Sequence, residues 1–200
     1  MAKNARYRVQ LRRRREGKTD YQARRGLVVS ENPRLVVRGT LKNTIAQVVI
    51  AKVNGDEVLA ASHSSEVKKF GWLGSTGNVP SAYLTGLLCG LRAKKAGLAK
   101  AVLDIGLITP TKGSRLFATL NGFIDAGLEV PHSEEKLVKE RTNGFHIAQY
   151  AKKLGAGSES YSVKFAAQLA RNLAPEKLPE NFSQVKAEIT KSFKTEGKKA

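Results

Sequence analysis

The sequence predicts an α/β protein: a mixed, three-layer-like βββαβα core over residues 26–130, preceded by a basic arm (1–25) and followed by a helical extension (131–200). Three observations predict it. Residues 34–63 hold three short runs rich in Val, Ile, Leu and Ala, bounded by Gly or Asn, as strands are. Residues 80–97 place Leu84, Leu87, Leu88 and Leu91 at i, i+3, i+4 and i+7, which is one apolar helix stripe. Residues 1–25 carry ten Lys and Arg against only Glu16 and Asp20, with too few apolar side chains to form a core.

The arm is expected to be extended or weakly helical when alone. Arginine dominates it: Arg6, Arg8, Arg12, Arg13, Arg14, Arg15, Arg24 and Arg25 accompany Lys3 and Lys18. A guanidinium forks onto phosphate and stacks on flat rings in ways an ammonium does not. Tyr7 and Tyr21 are interleaved with these charges and can stack on unpaired bases. The rival reading is a solubilising tail or a localisation signal. A membrane-surface helix fits less well, because no apolar face accompanies the charge.

The three apolar runs fall at residues 35–38, 45–53 and 58–62, with Asn54 and Gly55 between the second and third. That pair predicts a type I′ hairpin, whose two central residues need φ > 0. The middle run is apolar on both faces near its centre, which places it inside the sheet. Arg38, Lys42, Asn43 and Gln47 are expected to gather at one end, close to Arg34, as a basic and polar rim. A loop follows with Gly71, Gly74 and Gly77 spaced by three, and with Lys68, Lys69 and Trp72 beside them. The two lysines suit contact with a polyanion, and Trp72 suits either that role or the core.

Pro80 opens the leucine-striped helix, its φ being preset for the first turn, and Gly97 closes it. A second stripe of small residues, Ala82, Gly86, Cys89, Gly90 and Ala93, makes this helix apolar on two sides. The small side is expected to approach the sheet closely, and the other to be covered by later sequence. Residues 101–105 form a strand, parallel to a neighbour through a right-handed crossover, so the sheet becomes mixed. Asp104 near its end reads as a cap or salt-bridge partner. Ser114 is expected to cap a helix whose Leu116, Leu120, Phe123 and Ile124 face the core up to Gly127. Beyond Pro131, stripes at Ile147, Tyr150, Ala151 and Leu154 and at Ala166, Leu169, Ala170 and Leu173 predict two helices. A last helix, capped by Asn181, carries Phe182, Val185, Ile189 and Phe193 and a basic end of Lys186, Lys191, Lys194, Lys198 and Lys199. These stripes supply the cover for the doubly apolar helix.

The formal net charge of +18 calls for a polyanionic partner, nucleic acid or an acidic membrane surface. No apolar run approaches the ~20 residues of a membrane span. The N-terminus has no apolar stretch of a secretory signal, and the single cysteine, Cys89, fits a reducing compartment. The expected location is cytoplasmic, with no membrane partner. The loop 71–77 leads into a helix, which raises a nucleotide-binding α/β enzyme as the rival from another class. It matches neither GxGxxG nor GxxxxGK(S/T). His63, His132 and His146 are scattered with no metal-ligand spacing, and no nucleophile elbow or kinase signature occurs. No catalytic residue, metal or cofactor is expected.

Four segments, YQARRGLVVSENPRLVVRGTLKNTIAQVV, GWLGSTGNVPSAYLTGLLCGLRAKKAG, AVLDIGL and GSRLFATLNGFIDAGLEVPHSEE, resemble the family of large-subunit ribosomal protein eighteen in its archaeal form. The resemblance covers nearly the whole chain, most strongly residues 21–135, and residues 131–200 look like the extension of the archaeal and eukaryotic forms. It implies a non-enzymatic structural protein that binds 5S rRNA and helps attach it to 23S rRNA in the central protuberance, beside neighbouring large-subunit ribosomal proteins. Carried onto this sequence, the RNA-contacting segments fall on the arm from Arg6 to Arg25 and on Arg34, Arg38, Lys42, Asn43 and Gln47.

Overall fold

Asp20 shows how the basic arm gains structure. In the computed structural model, which describes residues 4–196, its Oδ1 accepts hydrogen bonds from the backbone N–H of Gln22 (2.9 Å) and Ala23 (3.4 Å). That satisfies two donors left free at a helix start. The arm therefore holds a single turn, α1 (Arg12–Arg15), and a capped helix, α2 (Tyr21–Val29), which runs across the expected boundary at residue 25. Lys3, Lys198 and Lys199 lie outside the described residues.

The sheet consists of β1 (Arg34–Gly39), β2 (Thr44–Lys52), β3 (Gly55–His63) and β4 (Val102–Asp104), in the order β3-β2-β1-β4. The first three pair antiparallel and β4 runs parallel to β1, so the sheet is mixed, with β2 inside as expected. The turn between β2 and β3 differs from the type I′ expectation. Lys52 pairs with Gly55, so Val53 and Asn54 form the loop, and of the expected pair only Gly55 takes a positive φ, 135°. Burial decides the register: Ala46 opposite Ser62 and Val48 opposite Ala60 put small residues on the core face. A type I′ turn at Asn54 and Gly55 would place His63 opposite Ala46, on that face. A bulge at Val48 and Val49 absorbs the mismatch.

Leu35, Val37, Ala46 and Val48 bury against α3 (Val79–Lys95) and α4 (Arg115–Asp125). Asn78 Oδ1 caps α3 by accepting from the Ser81 N–H at 2.9 Å, and Gly97 ends it at φ 81°. The two glycines of the small-residue stripe face α4 and not the sheet, contrary to expectation. A Cβ on Gly86 would lie 1.9 Å from the Thr119 carbonyl oxygen, and one on Gly122 of α4 would lie 2.1 Å from that of Tyr83. The helices touch backbone to backbone, which only glycine at both positions allows. Ser114 precedes α4 as expected, but its Oγ is buried without a hydrogen-bond partner and makes no cap.

The extension comprises α5 (Lys139–Thr142), α6 (Phe145–Leu154), α7 (Glu159–Leu169) and α8 (Leu178–Glu196). Phe182, Val185 and Ile189 of α8, joined by Leu178, bury in the common core, with the Phe182 ring 5.3 Å from that of Tyr83 on α3. Asn181 is inside α8 and does not cap it. Its Oδ1 accepts from the Leu73 N–H (3.3 Å) and its Nδ2 donates to the Gly71 carbonyl (3.1 Å), clamping the glycine-rich loop. On α6, Ala148 and Ala151 bury while Tyr150 is exposed; on α7, Tyr161 buries while Ala166 and Ala170 are exposed. Lys186 of α8 lies 4.9 Å over the Tyr83 ring and 3.3 Å from Asp125, so that lysine ties α8 to α3 and α4.

Candidate nucleic-acid interface

Strand alternation places Arg34, Val36 and Arg38 on the opposite face from Leu35 and Val37. Gln47 pairs with Val36 and Ile45 with Arg38, and Val36, Ile45 and Gln47 remain half-buried on this outer face. A chain of ion pairs runs along this face from Arg34 to Arg38. Arg34 Nη1 lies 3.0 Å from Asp104 Oδ2, and its Nη2 lies 2.8 Å from Asp56 Oδ2. Arg24 of α2 forks onto Asp56 at 3.0 and 2.8 Å, and Arg38 meets Asp104 at 3.0 Å. Arg24's hydrogen bonds outweigh the effect of burial and, with Arg34, hold the Asp56 carboxyl below its ordinary range. The Asp56 carboxylate in turn raises Arg24.

This network corrects the expected rim. Arg34 is 1% exposed and pairs with Val49, at the far end of β1 from Lys42. It is a structural charge between two carboxylates, with no surface left for a polyanion. Gln47 sits mid-strand, so the rim proper is Arg38, Lys42 and Asn43. Asp104 serves as the salt-bridge partner expected of it, and it also accepts from the Gly106 N–H at 2.9 Å.

The turn carrying Lys42 and Asn43 is tied on all sides. Thr40 N–H donates to the Asn43 carbonyl (2.8 Å), Ser64 Oγ to Asn43 Oδ1 (3.2 Å) and Thr76 Oγ1 to the Lys42 carbonyl (2.7 Å). Arg115 Nη1 adds bonds to the carbonyls of Thr40 (2.8 Å) and Gly77 (3.2 Å). Gly77 is required here, since a Cβ would come 3.0 Å from the Leu41 carbonyl oxygen. Gly74 makes room for Trp72, which is buried and donates from Nε1 to the Ser75 carbonyl. Two glycines of the rival phosphate-loop reading, Gly74 and Gly77, thus serve packing, and Gly71, at φ 87°, ends the 3-10 helix before them. Lys68 and Lys69 are exposed on the 3-10 helix Glu66–Phe70.

In the arm, Arg6, Tyr7, Arg8, Arg12, Arg13, Arg14, Arg15, Lys18 and Arg25 are exposed, and Tyr21 is half-buried. Glu16 is shared by Lys18 (2.9 Å) and Arg12 (3.8 Å), and Arg13 Nε donates to Thr19 Oγ1 (2.8 Å). Among the described residues, Arg6, Arg8, Arg14, Arg15 and Arg25 have no carboxylate partner. Also among the described residues, no His, Cys, Asp and Glu side chains group closely enough to hold a metal ion, and no helix is long and apolar enough to cross a membrane.

Residues 5–100 and 92–133 match the family model of ribosomal large subunit proteins 60S L5 and 50S L18. The chain is also 52% identical, over 99% of its length and 98% of the relative's, to the large ribosomal subunit protein uL18 of Caldivirga maquilingensis. This chain belongs to the L5/L18 family. It is therefore a ribosomal structural protein of the large subunit and not an enzyme, which removes the nucleotide-dependent reading of the loop 71–77. Sequence reasoning missed two residues of the site, Asp56 and Arg115, and gave Asn181 the role of a helix cap. A carboxylate in a chain with this cationic excess was the available signal for Asp56. Nothing local marks Arg115.

Proposed function

We propose that this member of the L5/L18 family binds 5S rRNA and helps attach it to 23S rRNA in the central protuberance, beside neighbouring large-subunit proteins in the cytoplasm. One observation carries the reading: positive charge is divided between neutralised and open sites. Arg24, Arg34 and Arg38 are held by Asp56 and Asp104, whereas Arg6, Arg8, Arg14, Arg15 and Arg25 stand in solvent. Open guanidiniums on a weakly structured arm suit backbone phosphates, and such an arm orders further as it binds. Lys42 and Asn43 on their tied turn suit 2′-hydroxyls and irregular loops, because the A-form major groove is closed to side chains. Lys68 and Lys69 extend the basic surface.

The test is binding of the full chain to 5S rRNA across ionic strength. Neutralising ~6–10 phosphates lowers affinity by roughly 10³–10⁵ between 50 and 200 mM salt, by the relation for duplex DNA. A complex insensitive to salt overturns the reading.

A further inference from the structure

A cavity of about 730 Å³ separates the arm from the sheet. Tyr21 and Arg24 of α2 line one wall; Arg38, Leu103 and Gly106 line the other. Arg13 and Lys18 stand at the arm side. The volume is that of pockets that take small ligands.

The Arg38 guanidinium is held rigidly. It donates to the Val37 carbonyl (2.8 Å), the Asp104 carbonyl (2.9 Å) and Asp104 Oδ1 (3.0 Å). A Cβ on Gly106 would sit 3.0, 3.0 and 3.3 Å from Cζ, Nη2 and Nη1, nearly equidistant, which places it over the flat of the group. Glycine, at φ 61°, therefore backs one face of the guanidinium. The side chain is still 43% exposed. A guanidinium whose donors are occupied at its edge and whose plane is fixed acts by its face, on which a ring stacks.

The charge inside the cavity selects the ligand. Three carboxylates, Asp20, Asp56 and Asp104, line it against two guanidiniums, Arg24 and Arg38, so the interior does not favour a phosphate. The unneutralised cation at the arm side is Arg13, whose Nε donates to the Thr19 hydroxyl. Resting on the reading that this chain binds 5S rRNA, we propose that the cavity receives the base of one unpaired RNA nucleotide. The base stacks on the Arg38 guanidinium beside Tyr21, and the nucleotide's phosphate stays outside, near Arg13.

The test uses the full chain bound to 5S rRNA, with base-edge and backbone chemical probing, and compares wild type with Arg38→Lys and Tyr21→Ser. Arg38→Lys keeps the charge and removes the plane; Tyr21→Ser alters the opposite wall at the first residue of α2. The expected result is one unpaired base protected in wild type and released in both variants. Affinity falls roughly tenfold, as for loss of one stacked base, with the salt dependence unchanged. Equal base protection in all three proteins, or Arg38→Lys matching wild type in affinity, overturns the inference while 5S rRNA binding stands. Failure of wild type to bind 5S rRNA overturns both.

Discussion

Replacing Asp104 with Asn tests whether the ion-pair chain is structural. The substitution keeps the side-chain volume and removes one charge from a group only 10% exposed. Asp104 receives Arg34 Nη1 and Arg38 Nη2, each at 3.0 Å, and the Gly106 N–H at 2.9 Å. Asn offers one accepting oxygen, so its NH₂ must face one of these donors. Stripping a partner from a buried ion pair costs ~3–5 kcal/mol. Two features place this case at the lower end. Asp56 still lies 2.8 Å from Arg34, and the Arg38 side chain, 43% exposed, forms a largely solvent-screened pair. The expected loss is about 3 kcal/mol. For a chain of this size, ~2–4 °C of melting temperature accompanies each kcal/mol, so the transition falls by roughly 6–12 °C. Thermal unfolding followed by circular dichroism measures it. A fall under about 2 °C refutes the claim that Arg34 depends on Asp104.

Gly122→Ala, whose Cβ would meet the Tyr83 carbonyl oxygen at 2.1 Å, should lower the urea midpoint by an overpacking cost of ~1–3 kcal/mol, because backbone cannot swing aside. Gly26→Ala, in the middle of α2 with nothing within 4 Å of the new methyl, should instead stabilise by ~0.5–1 kcal/mol on the same assay. Deleting residues 1–18 should abolish most 5S rRNA affinity in a filter-binding assay while the melting transition of the remainder stays within a few degrees; a collapsed transition would make the arm part of the core. Asp56 has its carboxyl pKa lowered on folding, chiefly by Arg24, so its contribution is present above the unfolded value near ~4 and lost as pH falls through the lower folded value. Amides of α2 should therefore exchange faster on acidification below about pH 4, after correction for intrinsic rates, and Asp56→Asn should show that fast exchange already at neutral pH.

The strands were readable because each run is short, apolar and bounded, and α3 because its leucines repeat at helical spacing. What the sequence hides is partnership. Gly86 and Gly90 announce a close approach, yet nothing near them says that Thr119 and Phe123 are what approaches. Arg34 looks like its neighbours Arg38 and Arg25 in one dimension; its carboxylates, Asp56 and Asp104, stand in later strands, the second 70 residues away. The hairpin register likewise escaped local reading, since a strong turn pair yielded to the burial of Ala46 and Val48. Of the candidate interface, the charge of the arm was legible, because it lies in composition, whereas the pairing of Arg24 with Asp56 was not.

The same distinction explains how a chain of net charge +18 folds at all. Like charges repel, and a buried guanidinium without a counter-ion is prohibitive. The fold meets this by drawing its inward-facing arginines onto carboxylates: Arg34 and Arg38 onto Asp104, Arg24 onto Asp56, and Arg92 onto Glu66 at 2.6 Å. Burial pushes the Glu66 carboxyl up, but Arg92 and the His63 N–H together hold it below its ordinary range, so it stays ionised. Arg92 also donates to the Ala61 carbonyl, and Glu66 accepts from the His63 N–H at 2.8 Å, so this pair occupies backbone groups on the edge strand β3. Open edges invite pairing with other chains, and a charged pair in that place discourages it. Arg115 and Arg171 are instead held by backbone carbonyls, and Arg6, Arg8, Arg14, Arg15 and Arg25 stand open on the arm and α2, where repulsion costs the folded core least and a polyanion relieves it most.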